Sequence, residues 1–331
     1  MTASNAKGSG RRPRAGTRAL TLVATPISGA VLRTLSDGPK RLVDLRRECG
    51  APAQTTLRAY LKELEKVKAI QKRRDGSFPG VLECELTSAG RELLFVVAAA
   101  ERWLQVAPGG PLPFGTTEAK AAIKALADGW SSTMLRALAA CPLSLTELDG
   151  VIAGLSYPSL ERRLTAMRLA GQVEACPSNG KGTPYAPTEW LRQGIGPLAA
   201  AARWERRHLP DDSSPVTRVD TEAAFLLTLP LLQLPSDLSG CCRMGVEMSN
   251  GKERRLVGAM AYVEQGRIAS STVRLNRNAD AWATGTPSGW LYAVIGADLS
   301  GLELGGNQDL ALALLDGLHG ALFGVLAREP S

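Results

Sequence analysis

The strongest constraint on the fold is a segment that occurs twice, 103 residues apart and without a gap. Residues 28–45 read SGAVLRTLSDGPKRLVDL, and residues 131–148 read SSTMLRALAACPLSLTEL. At the same offset, the apolar positions of the segment that follows the first copy match those of the segment that follows the second. These pairs are Leu57 with Leu160, Leu61 with Leu164, Leu64 with Met167, Val67 with Ala170, and Ile70 with Val173. A repeat at one fixed offset indicates two tandem copies of one structural unit, which we place at residues 19–105 and 120–210.

The order of elements within each copy indicates a winged helix-turn-helix. In the first copy, Val31, Leu32 and Leu35 lie on one face of a predicted helix that ends at Gly38-Pro39. A short second helix follows, then a third at about 53–68. Two strand-like segments, 69–73 and 81–86, flank a turn and precede a long helix at 88–104. Three helices, a hairpin and a last helix are the sequence of elements in that fold.

The residues of the third helix and of the segment after the hairpin resemble the HxlR-type winged helix regulators of bacteria. The third helix reads QTTLRAYLKELE from Gln54 to Glu65, and the later segment reads LTSAGREL from Leu86 to Leu93. A Trp late in the last helix also fits, at Trp103 and Trp204. The second copy lacks the Gly after its hairpin, and the first copy lacks the signature Cys near the N-terminus. The resemblance implies a regulator that binds double-stranded DNA.

Polar side chains opposite the Leu face of each third helix are the candidate DNA contacts, because such groups can reach base edges in a major groove. Basic residues of the hairpin suit phosphate contact. Glu161 stands where the first copy has Arg58, so the second copy is expected to repel phosphate more, and to bind a different half-site or none. The predicted DNA-binding residues are Gln54, Thr55, Arg58, Lys62, Lys72, Arg73 and Arg74 in the first copy, and Tyr157, Ser159, Arg162, Arg163 and Lys181 in the second.

The C-terminal third predicts a different, α+β unit at residues 216–328. A Leu-rich helix at 220–233 precedes three strands that we expect to form a meander sheet, followed by an extended segment, a helix, a short strand and a last apolar helix. The stretches DAWATGT at 280–286 and GLELGGN at 301–307 resemble the sterol-carrier-protein-type fold. That resemblance implies an apolar tunnel for a hydrophobic small molecule. The candidate lining is Met260, Tyr262, Trp282, Trp290, Leu314, Leu318 and Phe323, and the alternative is that these residues simply fill a core.

Charge is distributed unevenly along the chain. Residues 1–105 carry 19 Lys and Arg against 10 Asp and Glu, residues 106–210 carry 11 against 8, and residues 211–331 carry 9 against 14. The total is +7. A basic first third and an acidic last third suggest that the front of the chain meets a polyanion.

Composition favours a protein that is not an enzyme and needs no cofactor. Only two histidines are present, and the six cysteines include no CxxC pair, so neither acid–base catalysis nor a metal site is indicated. The adjacent Cys241 and Cys242 are interpreted as small buried residues, with a redox pair as the alternative. No apolar stretch reaches about 20 residues, which predicts no membrane span, and the basic start lacks the apolar core of a secretory signal. A cytoplasmic location is therefore expected.

Together these features predict a mainly α chain with an α+β part. The predicted segments are a basic disordered tail at 1–18, a winged helix domain at 19–105, a Pro/Gly linker at 106–119, a second winged helix domain at 120–210, and the sterol-carrier-like domain at 216–328. The expected function is a DNA-binding transcription regulator that responds to a hydrophobic effector. The repeats predict either an internal pseudo-dimer covering a full operator or a homodimer. The alternatives are a winged helix scaffold for protein partners and a hydrophobic-ligand carrier without sequence-specific DNA binding.

Overall fold

The computed structural model describes residues 15–74, 82–127, 131–152, 155–178, 180, 182–250 and 253–324. Most of the predicted basic tail, the tip of the first hairpin and Lys181 lie outside the described residues. Among the described helices, none is by itself long and apolar enough to cross a membrane. The pair Thr17–Val23 and Ile27–Ser36 meets that test only when both are taken together across an 83° bend.

The first unit runs from residue 17 to residue 105 and contains every element that the sequence predicts for it. Its elements are α1 (Thr17–Val23), α2 (Pro26–Ser36), β1 (Lys40–Arg41), α3 (Leu42–Glu48), α4 (Gln54–Lys66), β2 (Ile70–Arg74), β3 (Leu82–Leu86) and α5 (Ser88–Gln105). The three strands form an antiparallel sheet in the order β1-β3-β2. Helix α4 buries Leu57, Leu61 and Leu64, so its remaining faces point to solvent.

The second unit runs from residue 117 to residue 208 and repeats this order. Its elements are α6 (Thr117–Ala127), α7 (Ser131–Ala140), α8 (Leu145–Val151), α9 (Tyr157–Leu169), β4 (Val173–Ala175), β5 (Tyr185–Pro187), α10 (Glu189–Gln193) and α11 (Ile195–His208). Helices α8 and α9 have the bounds of α3 and α4 shifted by 103. After the hairpin, which is two residues shorter, the offset becomes 101. An isolated bridge from Leu143 to Tyr185 takes the place of the β1–β3 pairing.

Hydrogen bonds at the helix ends repeat with the elements. Thr87 caps α5 by accepting from the Gly90 N–H, and its hydroxyl lies 2.6 Å from the Lys68 carbonyl oxygen. Thr188 caps α10 in the same way and donates to the Gly171 carbonyl at 3.0 Å. Lys68 and Gly171 both have positive φ, 58° and 72°. Helices α4 and α9 therefore end in the same left-handed turn, which glycine adopts at the least cost.

The C-terminal unit, residues 218–323, is built on a five-stranded sheet. Its elements are α12 (Arg218–Thr228), the 3-10 turn Leu229–Leu231, β6 (Gly240–Asn250), β7 (Glu253–Glu264), β8 (Arg267–Thr272), β9 (Ala281–Gly285), α13 (Pro287–Gly296), the 3-10 turn Leu299–Gly301, β10 (Leu302–Gly306) and α14 (Gln308–Phe323). The strand order is β10-β9-β6-β7-β8, with β9 parallel to β6. The three strands predicted as a meander, β6, β7 and β8, pair in that order. The extended segment after them is β9, which joins the other side of β6 because the chain crosses over the sheet from β8.

Both repeated units share one buried core, and their long helices α5 and α11 contact each other. The Trp103 indole N–H donates to the Trp190 carbonyl at 2.7 Å, and the Trp204 indole N–H donates to the Ala89 carbonyl at 2.8 Å. Residues 103 and 204, like residues 89 and 190, are related by the offset of 101. The two bonds therefore link equivalent positions in opposite directions across the contact between the units.

The C-terminal unit is attached to the second unit through α12, which packs on α7. Glu222 of α12 is 2% exposed and pairs with Arg136 of α7 and with Arg218 of its own helix. The α14 residue Phe323 belongs to the core of the repeated units and stacks on Phe95 of α5, with ring centroids 5.8 Å apart. The C-terminal unit is thus packed against both repeated units.

Candidate nucleic-acid interface

The predicted DNA-binding residues of helix α4 lie on its solvent-exposed side. Gln54, Thr55, Arg58 and Lys62 are all exposed, because the 3.6-residue period that buries the three leucines turns these side chains away from the core. The four residues combine amide, hydroxyl and cationic groups. They can donate to and accept from base edges without removing any group from the core.

The hairpin adds cations beside this helix. Lys72, Arg73 and Arg74 of β2 are exposed. Two of them have acidic neighbours: the Lys72 ammonium lies 2.6 Å from a Glu65 carboxylate oxygen, and the Arg73 guanidinium lies 3.3 Å from Glu85. Exposed ion pairs of this kind are weak, so phosphate groups can compete for both side chains.

Three further arginines that the sequence analysis did not select extend the same surface. Arg41, Arg46 and Arg47 are exposed at the start and in the last turn of α3. The Arg46 guanidinium donates to the Pro52 carbonyl at 3.0 Å and so braces the turn that leads into α4. In a helix-turn-helix the helix before the recognition helix crosses the DNA backbone, and that geometry is the signal that could have identified these residues.

The surface of the first unit that contains these elements is strongly basic. Residues 40–74 hold eleven Lys and Arg against four Asp and Glu, a net charge of +7. The matching residues 143–177 of the second unit hold three Lys and Arg against four Asp and Glu, a net charge of −1. Phosphate attraction, which supplies most of non-specific DNA affinity, therefore favours the first unit alone.

The second unit places its predicted residues less uniformly. On α9, Tyr157 and Arg162 are exposed, whereas Ser159 and Arg163 are half-buried. Ser159 lies 3.0 Å from Ser156 through their hydroxyl oxygens. Lys181 lies outside the described residues. The structure thus brings four of the five second-copy residues onto one helix, with two of them facing solvent.

Apolar side chains also replace polar ones on this second surface. Val151, Tyr157 and Leu169 are 61%, 44% and 79% exposed. They stand 103 residues after Glu48, Gln54 and Lys66 of the first unit. At these three positions the second unit exposes apolar side chains where the first unit has polar ones, although α3 of the first unit also exposes Val43.

The predicted ligand-lining residues do not surround one space. Trp290 and Leu318 line a cavity of about 140 Å³, which lies between α11 and helices α12, α13 and α14. The remaining five lie elsewhere. Met260, Leu314 and Phe323 are buried, Tyr262 is 39% exposed, and Trp282 is half-buried beneath the Arg243 guanidinium.

The cysteines of the C-terminal sheet differ in exposure. Cys242 is buried, and burial raises the pKa of its thiol to about 12, while Cys241 is half-buried with a pKa that burial also raises. Both thiols are therefore protonated at neutral pH, the less reactive form. Within the described ranges, no group of three His, Cys, Asp or Glu side chains is placed to hold a metal ion.

Comparison with known proteins matches the part of the chain that forms the basic surface. Residues 23–107 match the family model described as HxlR-like helix-turn-helix. A solved structure, the reduced form of the transcriptional regulator YodB from B. subtilis, is 28% identical over 25% of this chain and 81% of that chain, with a TM-score of 0.24. Among curated proteins none matches the chain. The α4 helix and its hairpin thus lie inside the matched segment, and residues 23–107 are an HxlR-like helix-turn-helix domain.

Proposed function

We propose that the chain is a DNA-binding transcription regulator whose first unit contacts the duplex. The observation that carries this proposal is the basic, solvent-facing surface of α4, β2 and α3 within the HxlR-like helix-turn-helix domain. Helix α4 enters the major groove with Gln54, Thr55, Arg58 and Lys62 toward the bases. The cations of α3 and β2 contact phosphates on either side and set the register of the helix on the DNA.

The second unit takes the place of a partner subunit in this proposal. Its elements follow the order and bounds of the first unit, which supports a second winged helix in tandem. The exchanged bonds of Trp103 and Trp204 are what a two-fold axis produces, since an isologous contact pairs each position with its equivalent in both directions. We infer an internal pseudo-dimer that forms within one chain.

The pseudo-dimer is asymmetric toward DNA. With a net charge of −1 on the matched surface, the second unit adds little phosphate attraction. This favours one contacted half-site per chain over the full operator that the repeat alone predicts. A palindromic operator then binds two chains, and sedimentation of the complex counts them.

The finer parts of the proposal concern the C-terminal unit. We propose that this sterol-carrier-like unit makes DNA binding responsive to an apolar effector, and that the chain acts in the cytoplasm without catalysing a reaction. Its packing against both repeated units supports the regulatory role, because a change in its shape can be passed to them directly.

Titration of the purified chain with a genomic duplex library at several salt concentrations tests the central proposal. We expect selected duplexes to bind, with affinity that falls steeply as salt rises, because cations on the protein displace counterions from the phosphates. The proposal is wrong if no duplex binds at low salt, or if the affinity is independent of salt.

A second candidate function is favoured by one observation. The second unit exposes Val151, Tyr157 and Leu169 where the first unit has Glu48, Gln54 and Lys66, and fewer charged side chains are typical of the centre of a protein interface. In this alternative, the chain is a winged helix scaffold for protein partners. Retained partner binding in a variant that has lost all DNA affinity, with no DNA-bound form in cells, favours the scaffold over the regulator.

A further inference from the structure

The cavity between the second unit and the C-terminal unit is built by helices from both. Helix α11 supplies Leu198 and Ala202, α12 supplies Phe225, α13 supplies Trp290 and Leu291, and α14 supplies Leu318. Its volume is about 140 Å³. It is therefore a space at a junction between units and not the tunnel within the sheet domain that the sequence resemblance predicts.

The polar side chains around this space already have partners in the protein. The Thr221 hydroxyl donates to the Thr217 carbonyl at 3.1 Å, and the Thr228 hydroxyl donates to the Ala224 carbonyl at 2.8 Å. The Asp220 carboxylate accepts from the Thr217 N–H and hydroxyl at 3.0 and 2.8 Å. A bound molecule therefore gains mainly from apolar contact.

The fourth polar group is the indole of Trp290. Its N–H donates to the Gly245 carbonyl at 2.8 Å, and its ring meets Phe225 edge-on with centroids 5.1 Å apart. The indole thus offers its apolar surface to the cavity. The Asp220 carboxylate repels an anion, and a strongly hydrogen-bonding molecule would lose its hydration here with little compensation, which favours a neutral apolar occupant.

The size of the cavity limits the occupant further. A cavity of about 150 Å³ lined by aliphatic and aromatic side chains accepts benzene. The class of ligand that fits is a small, neutral aromatic or branched aliphatic molecule, or the apolar end of a larger one.

Helix α11 connects this cavity to the first unit. Two residues beyond Ala202, the Trp204 indole donates to the Ala89 carbonyl of α5. Glu205 accepts from the backbone N–H groups of Gly16 and Ala19 at 2.7 and 2.8 Å, at the start of α1. One side of the helix therefore lines the cavity, and the residues that follow hydrogen-bond to the first unit, at α5 and at the start of α1.

We propose that this junction cavity binds a small neutral apolar molecule and that its occupancy changes the DNA affinity of the first unit. The second half of this proposal rests on the proposed function, and the first half does not. Filling the cavity adds contacts between α11 and the C-terminal helices. The equilibrium between arrangements of the two units shifts only as far as the ligand binds them differently.

Fluorine NMR of fluorobenzene with the full chain tests the site without DNA. We expect saturable binding to the wild-type protein and its loss in Ala224→Phe, where the new ring occupies the cavity. Ala140→Phe, on an exposed position of α7, is the control and should bind like wild type. If Ala224→Phe does not fold, Ala202→Leu replaces it. Absence of saturable binding to the wild type, or equal binding by the filled variant, overturns the site.

Duplex affinity measured with and without saturating fluorobenzene tests the coupling. We expect a change of about fivefold or more for wild type and Ala140→Phe, in the range typical of coupled sites, and no change for Ala224→Phe. Unchanged affinity in the wild type overturns the coupling while the NMR result on the site stands. If no duplex binds at all, the proposed function fails separately from the cavity.

Discussion

The first and second units share the order of their main elements but differ in the charge of their matched surfaces. Helices α4 and α9 are equal in length, and they end in left-handed turns at Lys68 and Gly171. Yet the net charge of the matched surfaces is +7 in one and −1 in the other. The fold is maintained by the buried Leu positions, which the two units share, whereas DNA contact depends on exposed positions, which they do not.

The helix after the hairpin also differs between the units, and there the difference is in packing. Gly90 of α5 allows a close approach to the Ala69 carbonyl, since a Cβ at that position would lie 2.0 Å from its oxygen. The second unit has Leu191 at the equivalent position, and its helix is divided into α10 and α11 at Gly194. The contact between the units is therefore compatible with a continuous helix in the first unit and a divided one in the second.

The largest expected effect is on DNA affinity, when charge is reversed on the surface of one unit at a time. Combined Arg58→Glu, Lys62→Glu and Arg74→Glu substitutions should lower duplex affinity about a thousandfold, at about tenfold for each lost contact. Arg162→Glu with Arg168→Glu on α9 is the matched control and should change affinity less than about threefold. A loss of about a hundredfold in the α9 variant, at about tenfold for each lost contact, would show that both units contact DNA. Circular dichroism checks that each variant is folded.

Removal of each indole donor tests the exchanged bonds between the units. Trp204→Phe should lower the free energy of unfolding by about 1–2 kcal/mol, because a buried hydrogen bond is lost. Trp103→Phe should cost about 2–3 kcal/mol, since its ring also stacks on Trp190 with centroids 4.5 Å apart. Urea denaturation measures both. A loss below about 0.5 kcal/mol in each variant would contradict a linking role.

One buried position is titratable in the second unit and apolar in the first: Glu205 stands where the first unit has Leu104. The stability that this position contributes therefore depends on pH only in the second unit. Burial raises the pKa of Glu205, and hydrogen bonds from Gly16 and Ala19 offset part of that rise. At pH values between 4.5 and the raised pKa, the folded chain therefore keeps the Glu205 proton that the unfolded chain has lost. The contribution of Glu205 to stability falls as pH rises from about 4.5 to the raised pKa.

Comparison with Glu205→Gln isolates this effect. The wild-type free energy of unfolding, relative to that variant, should decline as pH rises through this interval, because the folded chain holds the Glu205 proton more tightly than the unfolded chain does. Urea denaturation at several pH values measures it. A difference between the two proteins that is independent of pH would mean that Glu205 titrates alike in both states.

The smallest expected effect concerns the left-handed turn. Lys68→Gly should stabilise the chain by about 0.5–1 kcal/mol, because glycine adopts positive φ without the Cβ penalty. Gly171→Ala should destabilise by about the same amount; its new Cβ would lie in ordinary contact, 3.6 Å from Pro108. Thermal denaturation compares the two. Opposite signs would contradict the structural equivalence of the two turns.

Much of the local structure could be predicted from apolar spacing. The periods of Leu57, Leu61 and Leu64 predict α4, and the structure exposes the four α4 residues that this period leaves outside. The added cations of α3 could not be selected, because their relevance depends on how α3 lies beside α4. The ligand candidates were scattered for a related reason: apolar side chains line cavities and fill cores alike, as Trp290 and Leu314 show.

The sequence by itself determined the repeated units, their element order and the contrast in surface charge, because these follow from residue spacing and side-chain chemistry along the chain. Only the tertiary structure decided that β9 lies parallel to β6, that Trp103 and Trp204 bond in opposite directions between the units, and that α11 forms a wall of the junction cavity. Each of these depends on segments far apart in the chain meeting in space, and no local period records which segments meet.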